Sequence, residues 1–327
     1  MAEDLLKVSD LTIYYETDEN VVKAVNRVSF SLKKGETLGL VGETGAGKTT
    51  TALGIMGLIP DPPGRIVSGE IEFEGENLLK KSSREMRKIR GHKISMIFQD
   101  PMTALNPVLT VGDQITEVIR LHEKISPEQA QKKAMDMLEL VGIRADRFAE
   151  YPHQFSGGMK QRVVIAIALA CNPELLVADE PTTALDVTIQ AQVLELMARL
   201  KQQFDTSMIL ITHDLGVVAE VCDRVAIMYA GEIVECGTLR QIYRNTKHPY
   251  TRGLFNSLPN LKDKVKRLKP IKGLMPDPSN LPAGCSFADR CDRRTDACEQ
   301  SDPGICEVEP GHFVKCRLYL EGKEAGF

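Results

Sequence analysis

Residues Gly42-Glu43-Thr44-Gly45-Ala46-Gly47-Lys48-Thr49 follow the pattern G-x-x-x-x-G-K-[ST]. The apolar run Thr37 to Val41 before them reads as a short buried strand, and the residues after Thr49 can start a helix. In that setting glycines let the backbone wrap closely around an anion with its N–H groups pointing inward. The helix start adds unpaired N–H groups and the positive end of its dipole. Lys48 can then reach the β- and γ-phosphates of a nucleoside triphosphate such as ATP, and the Thr49 hydroxyl can ligate Mg²⁺. Thr50 belongs to the same phosphate-facing turn.

A second glycine-rich segment, Phe155-Ser156-Gly157-Gly158-Met159-Lys160-Gln161, also looks built to open a helix. Shortly after it the apolar strand Leu175 to Ala178 ends in Asp179-Glu180. In a chain with a phosphate-binding loop, Asp179 stands where a Mg²⁺-organising carboxylate belongs. Glu180 can polarise a water for attack on the γ-phosphate.

The elements that must position these residues follow from periodicity. Residues 5 to 32 alternate as strands joined by a polar turn near Asp18 to Asn20, and Ile71 to Phe73 and Ile94 to Phe98 are further strands. Thr110 to Gly142 reads as helical, with Ser126-Pro127-Glu128-Gln129 supplying a capping Ser, a Pro at the first position and a Gln at the third. From Gln161 onward helices alternate with strands at Leu175 to Ala178, Met208 to Thr212 and Val225 to Tyr229. Such alternation predicts an α/β domain around a largely parallel sheet.

At 327 residues the chain is long for one domain, and its 43% hydrophobic and 26% charged residues are ordinary for a globular protein. A net charge of −4 gives no global attraction to nucleic acid. No apolar run approaches the ~18 residues needed to cross a membrane, and the N-terminus lacks a basic start and an apolar core. A cytoplasmic location is therefore expected, with any membrane role exercised through partners. Near Leu258 the composition shifts to a basic, proline-punctuated stretch, Lys262 to Lys272, read as a linker or extended arm with a solvated surface.

Taken in order, these segments resemble the ATP-binding cassette (ABC) ATPases over roughly residues 5 to 255. Gln99 in Phe98-Gln99-Asp100-Pro101 is similar to the family's Q-loop glutamine, Ser156-Gly157-Gly158-Met159-Lys160-Gln161 to its signature motif, and Asp179-Glu180 to its Walker B pair. Ala184-Leu185-Asp186 resembles the D-loop and His213 the switch histidine. Tyr15 sits where the family places an aromatic that stacks on adenine, with Tyr14 as the alternative. Residues 99 to 107, Asp179 to Gln192, His248 to Thr251 and the C-terminal cysteines are similar to the oligopeptide/dipeptide importer branch. Gly273 to Cys285 looks more like its D-type ATPase subunit.

Eight cysteines are present, five of them in the last 43 residues. Cys285, Cys291, Cys298 and Cys316 lack the two-residue gaps of zinc ribbons, and irregular spacing suits an iron–sulfur cluster, with zinc-bound or reduced thiols as the alternatives. The resemblance implies a [4Fe–4S] cluster on those four, with Cys306 a bystander. Cys171, Cys222 and Cys236 read as packing residues.

The implied architecture is a P-loop NTPase fold with a RecA-like core, an antiparallel β subdomain, an inserted helical subdomain at about 100 to 165, and a small cysteine-rich iron–sulfur domain. Residues 1 to 257 form the nucleotide-binding domain and 258 to 327 the basic arm and cysteine-rich part. ATP would lie on Tyr15, Gly42, Glu43, Thr44, Gly45, Ala46, Gly47, Lys48, Thr49 and Thr50. Mg²⁺ would be held by Thr49, Gln99 and Asp179, with Glu180 and His213 catalytic. Ser156, Gly157, Gly158 and Gln161, beside Asp186, would serve a partner's ATP.

The implied partners are a second ATPase subunit in a heterodimer, two membrane permease subunits and, indirectly, an extracytoplasmic substrate-binding protein, with no nucleic acid. The resemblance thus implies a peripheral ATPase at the cytoplasmic face of the membrane, powering import of di- or oligopeptides. An importer ATPase for another small solute, or a cassette ATPase acting on nucleic acid or protein assembly, shares the same motifs.

Overall fold

The computed structural model describes residues 4–183, 185–257 and 270–320. Most of the basic stretch, at 262 to 269, and Ala184 lie outside the described residues. The chain forms two compact units interleaved in sequence: Leu32–Thr37 with Leu78–Ile211, and Leu5–Ser31 with Leu38–Asn77 and Thr212 onward.

The chain opens with two long strands, β1 (Asp4–Glu16) and β2 (Val21–Lys33), then the short strand β3 (Thr37–Val41), every residue of which is buried. Helix α1 (Lys48–Met56) follows, then β4 (Gly64–Phe73) and the two-residue β5 (Glu76–Asn77). Next come α2 (Ser83–Ile89), β6 (Ile94–Ile97), α3 (Pro101–Ala104), α4 (Val111–His122), α5 (Pro127–Leu140) and α6 (Gly157–Leu169). Strand β7 (Leu175–Asp179), helix α7 (Val187–Phe204) and strand β8 (Ser207–Thr212) complete the central part. The rest comprises α8 (Leu215–Val221), β9 (Arg224–Tyr229), β10 (Glu232–Thr238), α9 (Leu239–Arg244), α10 (Pro249–Asn256), α11 (Ala297–Gln300), β11 (Cys306–Glu309) and β12 (His312–Val314).

In the first unit β6, β7 and β8 pair in parallel. All their residues are buried, which is why they read as continuous apolar runs rather than alternating ones. The stretch expected to be helical from 110 to 142 is two helices. Glu123 caps the first in an extended conformation, and Ser126 opens the second with the expected capping box to Gln129. α4 and α5 each bury one apolar stripe: Val111, Ile115 and Ile119 on α4, Ala130, Ala134, Met137 and Leu138 on α5.

In the second unit β1 pairs antiparallel with β4 and β4 with β5, and β2 lies beside β1, in a four-stranded sheet of order β2-β1-β4-β5. β3 runs parallel to β9, β9 antiparallel to β10, and β12 joins β10 antiparallel with β11 outside it. The cysteine-bearing tail is thus an extension of a sheet, a feature that periodicity does not reveal because β11 and β12 are four and three residues long. Among the described residues this tail does not assemble the iron–sulfur domain expected from the sequence. No group of three or more His, Cys, Asp or Glu there could hold a metal ion.

A buried polar network fastens the tail to β10. Glu235 and His312 are fully buried, and the His312 Nε2 to Glu235 Oε1 distance is 2.8 Å. The same carboxylate accepts from the backbone N–H groups of Lys247 (2.7 Å) and His248 (3.0 Å). A buried carboxylate is tolerated only with such partners. Lys315, on the residue after β12, is hydrogen bonded to Glu232.

His248 is 1% exposed, and its Nδ1 accepts the Tyr250 backbone N–H at 3.1 Å. Burial pushes its pKa down to about 4, with Glu235 opposing. The unfolded imidazole, near its ordinary 6.5, binds a proton that the folded one refuses, so stability is lost as pH falls from 6.5 towards 4. That loss should amount to about 3 kcal/mol. Urea unfolding of the protein and of His248→Gln at pH 7 and pH 4.5 checks this: the variant should show a distinctly flatter pH dependence.

Candidate nucleotide site

The phosphate loop leaves the end of β3 and enters α1. Gly45 (φ 85°) and Gly47 (φ 97°) take left-handed conformations, and Gly47 caps α1 with no side-chain hydrogen bond. The first amides of α1 are thus not taken by a capping side chain, the arrangement an anion requires. A Cβ on Gly42 would lie 2.3 Å from the Met228 carbonyl oxygen, and one on Gly47 would lie 2.5 Å from that of Ala24. The loop is pressed against β9 and β2 so closely that only glycine fits at both positions. The Gly231 N–H donates to Ala46 O at 3.0 Å, closing the other side.

Lys48 is buried, and its ammonium donates to the carbonyls of Gly42 (2.9 Å) and Glu43 (3.1 Å). It spans the loop from which it would reach phosphate oxygens. Thr49 is exposed at the mouth, with Thr50 half-buried beside it and Thr44 also exposed. Tyr15 is half-buried on β1, its ring against Gly64, and His213 is exposed just past β8. Both belong to the unit that carries the loop.

Two contacts to this loop have no local sequence signal. The Glu43 backbone N–H donates to the hydroxyl of fully buried Tyr250 at 3.1 Å, from 207 residues away. The Glu43 carboxylate takes a bidentate pair of bonds from Arg290, 3.0 Å to Oε2 and 3.1 Å to Oε1, across 247 residues. Such separations leave no trace in periodicity or motif spacing.

The other unit carries the carboxylates. Asp179 ends β7 and is 2% exposed. Glu180 follows at φ 45°, an uncommon conformation for a residue with a side chain, and its N–H donates to Ile211 O at 2.9 Å. Gln99 Nε2 and Thr183 Oγ1 each donate to Glu180 Oε2 at 3.0 Å. The chain thus brings together Gln99 and Glu180, 81 residues apart, and adds Thr183, which sequence reasoning did not single out. Asp179 and the Gln99 amide oxygen of this unit are hard donors, the chemistry Mg²⁺ prefers.

Ser156 caps α6, its hydroxyl accepting the Met159 N–H at 3.4 Å. Gly157 and Gly158 let the start of α6 approach Leu185 and Ile189, since a Cβ on Gly158 would lie 2.5 Å from Ile189 Cγ2. Asp186 caps α7, accepting the Ile189 N–H at 3.0 Å. Gln161 is fully buried, and neither its amide nitrogen nor its oxygen has a hydrogen-bond partner among the described residues.

The cysteines correct an expectation. Cys285, Cys291, Cys298 and Cys316 open on one cavity of about 500 Å³ together with His248 and Phe287. Yet they do not gather into a metal-binding group among the described residues, contrary to the [4Fe–4S] expectation. Burial raises the pKa of the Cys285 and Cys291 thiols and pushes that of Cys316 up to about 11. Cys298 Sγ is in contact with Thr295 Oγ1 at 3.4 Å, and Cys291 Sγ accepts the Arg293 N–H. Cys306 is buried apart from the cavity, against the carbonyls of Val314 and Tyr319.

Comparison with known proteins agrees with this geometry. The ABC transporter family profile matches residues 25–183, and that of the oligopeptide/dipeptide transporter C-terminal region matches residues 234–298. The chain is 50% identical over 319 residues to the oligopeptide transport ATP-binding protein AppD of Bacillus subtilis (strain 168), covering 97% of each chain. It is 55% identical to OppD of the same organism, covering 96% of this chain and 88% of that one. To the dipeptide transport ATP-binding protein DppD of Escherichia coli (strain K12) it is 45% identical, with 97% of each covered. Among solved structures, a dimeric post-hydrolysis state of the ATP-binding cassette MJ0796 bound to ADP and Pi superposes with a TM-score of 0.65 and 29% identity, over 72% of this chain and 99% of that one.

The close packing around Gly42 gives a direct test. Gly42→Ala forces a methyl onto the backbone of β9, which cannot yield as a side chain would. We expect at least tenfold weaker binding of a fluorescent ATP analogue with the fold preserved by circular dichroism.

Proposed function

The chain belongs to the ABC transporter ATPase family, in its oligopeptide/dipeptide branch, and we propose that it is the ATP-hydrolysing subunit that powers import of di- or oligopeptides through a membrane permease. The observation that carries the ATPase reading is Glu180: a carboxylate fixed by Gln99 and Thr183, one residue past a buried Asp179 at the end of a parallel strand. The peptide reading is supported by 45 to 55% identity to peptide transport ATP-binding proteins across nearly the whole chain.

In this reading Gly42 to Thr50 bind the triphosphate through backbone N–H groups and the Lys48 ammonium, and Tyr15 stacks on the base. Thr49, Gln99 and Asp179 would hold Mg²⁺, which when bound would supply charge neutralisation on the triphosphate. Glu180 orients and deprotonates the attacking water, and two hydrogen bonds to one of its oxygens hold the carboxylate in a single orientation. His213 contacts the γ-phosphate. Catalysis is then positioning plus electrostatic stabilisation. Ser156, Gly157 and Gly158, with Asp186, face the ATP of a second subunit, a similar but distinct chain, whereas Gln161 of the same helix is buried.

Residues 1 to 257 constitute the nucleotide-binding domain in this reading, with the helical subdomain at about 100 to 165, and 258 to 327 the appended C-terminal part. The subunit works from the cytoplasmic face of the membrane on two permease subunits, with an extracytoplasmic binding protein selecting the peptide. Among the described residues no helix is long and apolar enough to cross a membrane.

Glu180→Gln keeps the shape and hydrogen-bonding length of the side chain while removing its basicity. ATP binding should be retained and turnover should fall at least about a hundredfold. Wild-type hydrolysis by this variant in the reconstituted transporter would remove the role. ATP-driven uptake of a labelled dipeptide into vesicles carrying the full assembly tests the substrate class, and absence of uptake with intact ATPase activity would refute it.

A further inference from the structure

Glu43 places a carboxylate inside a loop proposed to bind an anion carrying several negative charges. The chain deals with that charge from its far end. Arg290 donates two hydrogen bonds to the Glu43 carboxylate, with the Arg290 side chain 6% exposed and that of Glu43 32% exposed. Its Nε donates to the Lys272 carbonyl at 3.1 Å and one terminal nitrogen to the Tyr229 hydroxyl at 3.3 Å. The guanidinium lies 5.6 Å from the Tyr229 ring centroid and 6.0 Å from that of Phe287. A planar fork so boxed in has one orientation to offer.

Glu43 is held at three points. Its N–H is fixed by Tyr250, its carbonyl accepts from the Lys48 ammonium at 3.1 Å, and its carboxylate is fixed by Arg290. The Lys48 ammonium and the Arg290 guanidinium therefore act on the same residue of the loop. Other parts of the tail lie along the same surface: Met275 Cε stands 3.1 Å from where a Cβ on Gly45 would be, and the Lys23 N–H donates to Pro278 O at 2.9 Å.

We propose that Arg290 is a positioning residue of the nucleotide site, which neutralises Glu43 and so lets the phosphate loop accept the triphosphate. The role rests on the ATP reading above. It makes nucleotide affinity depend on correct seating of the 272–290 segment, a dependence that no motif of the cassette expresses. Without Arg290 the Glu43 carboxylate would repel the incoming phosphates and compete for Lys48. The penalty should grow with ligand charge and shrink with salt.

The test uses the full chain, with ATP and ADP binding measured at 50 and 500 mM salt, and KM and kcat measured in the reconstituted transporter. Arg290→Ala should weaken ATP binding about tenfold at low salt and ADP binding less, and should raise KM more than it lowers kcat. Adding Glu43→Gln to Arg290→Ala should recover most of the lost ATP affinity, because the uncompensated charge is gone. Arg290→Lys, which keeps the charge and is less disruptive to folding, should bind ATP within about threefold of the parent. Unchanged ATP affinity in Arg290→Ala, or a double variant as weak as Arg290→Ala, would overturn the proposal. Equal losses for ATP and ADP at both salt concentrations would also overturn it, since that is what simple loss of loop packing would give. A parent chain that fails to bind ATP at all would sink the ATP reading itself, whereas normal parent binding with an unaffected Arg290→Ala sinks this inference alone.

Discussion

The phosphate loop can present backbone N–H groups only if it is pressed flat against its neighbours, and much of the second unit is arranged to press it. Gly42 abuts the Met228 carbonyl of β9 and Gly47 abuts the Ala24 carbonyl of β2, while Gly231 ties Ala46 from the turn between β9 and β10. The parallel pairing of β3 with β9 puts the exit of β3 beside the end of β9, where that pressure is applied. A loop held by side chains could relax. One held by backbone on two sides cannot, so the cost of shaping it is met once, in folding, rather than at each binding event.

The C-terminal tail belongs to the same construction. β12 extends the sheet from β10, and the buried Glu235 and His312 fix that pairing with three hydrogen bonds to one carboxylate. α10, whose N-cap is His248, then carries Tyr250 to the Glu43 amide. Tyr229, Tyr250 and Phe287 pack ring against ring within 5.4 Å between centroids, and Arg290 lies over two of them. Burying a carboxylate is costly in isolation, and the network offsets that cost with three hydrogen bonds to Glu235, while His312 is bonded through Nε2 alone.

The motif residues were legible because their chemistry is local. A glycine needed for a positive φ, a lysine at a set distance from it and two acids at the end of an apolar run are all defined within a few residues. So are helix starts such as Ser126 with Gln129. What was not legible depended on distance or on short elements. β10 to β12 reach their pairing only through the fold. The break between α4 and α5 turns on an extended Glu123 with no glycine or proline beside it. The cysteines are the instructive failure: four thiols with plausible spacing do converge on one cavity, but convergence is not coordination, and among the described residues they form no metal-holding group.

By itself the sequence determined the phosphate loop, the Asp179-Glu180 pair, the α/β class and the family, because each rests on short-range geometry or on an ordered set of such segments. Only the tertiary structure decided which groups complete them: distant Gln99 and neighbouring Thr183 on Glu180, and distant Tyr250 and Arg290 on Glu43. The reason is that a hydrogen bond to a functional side chain requires a donor within about 3 Å but places no demand on where in the chain that donor resides. Arg290 stands 247 residues from the carboxylate it binds, and nothing in either local stretch announces the other.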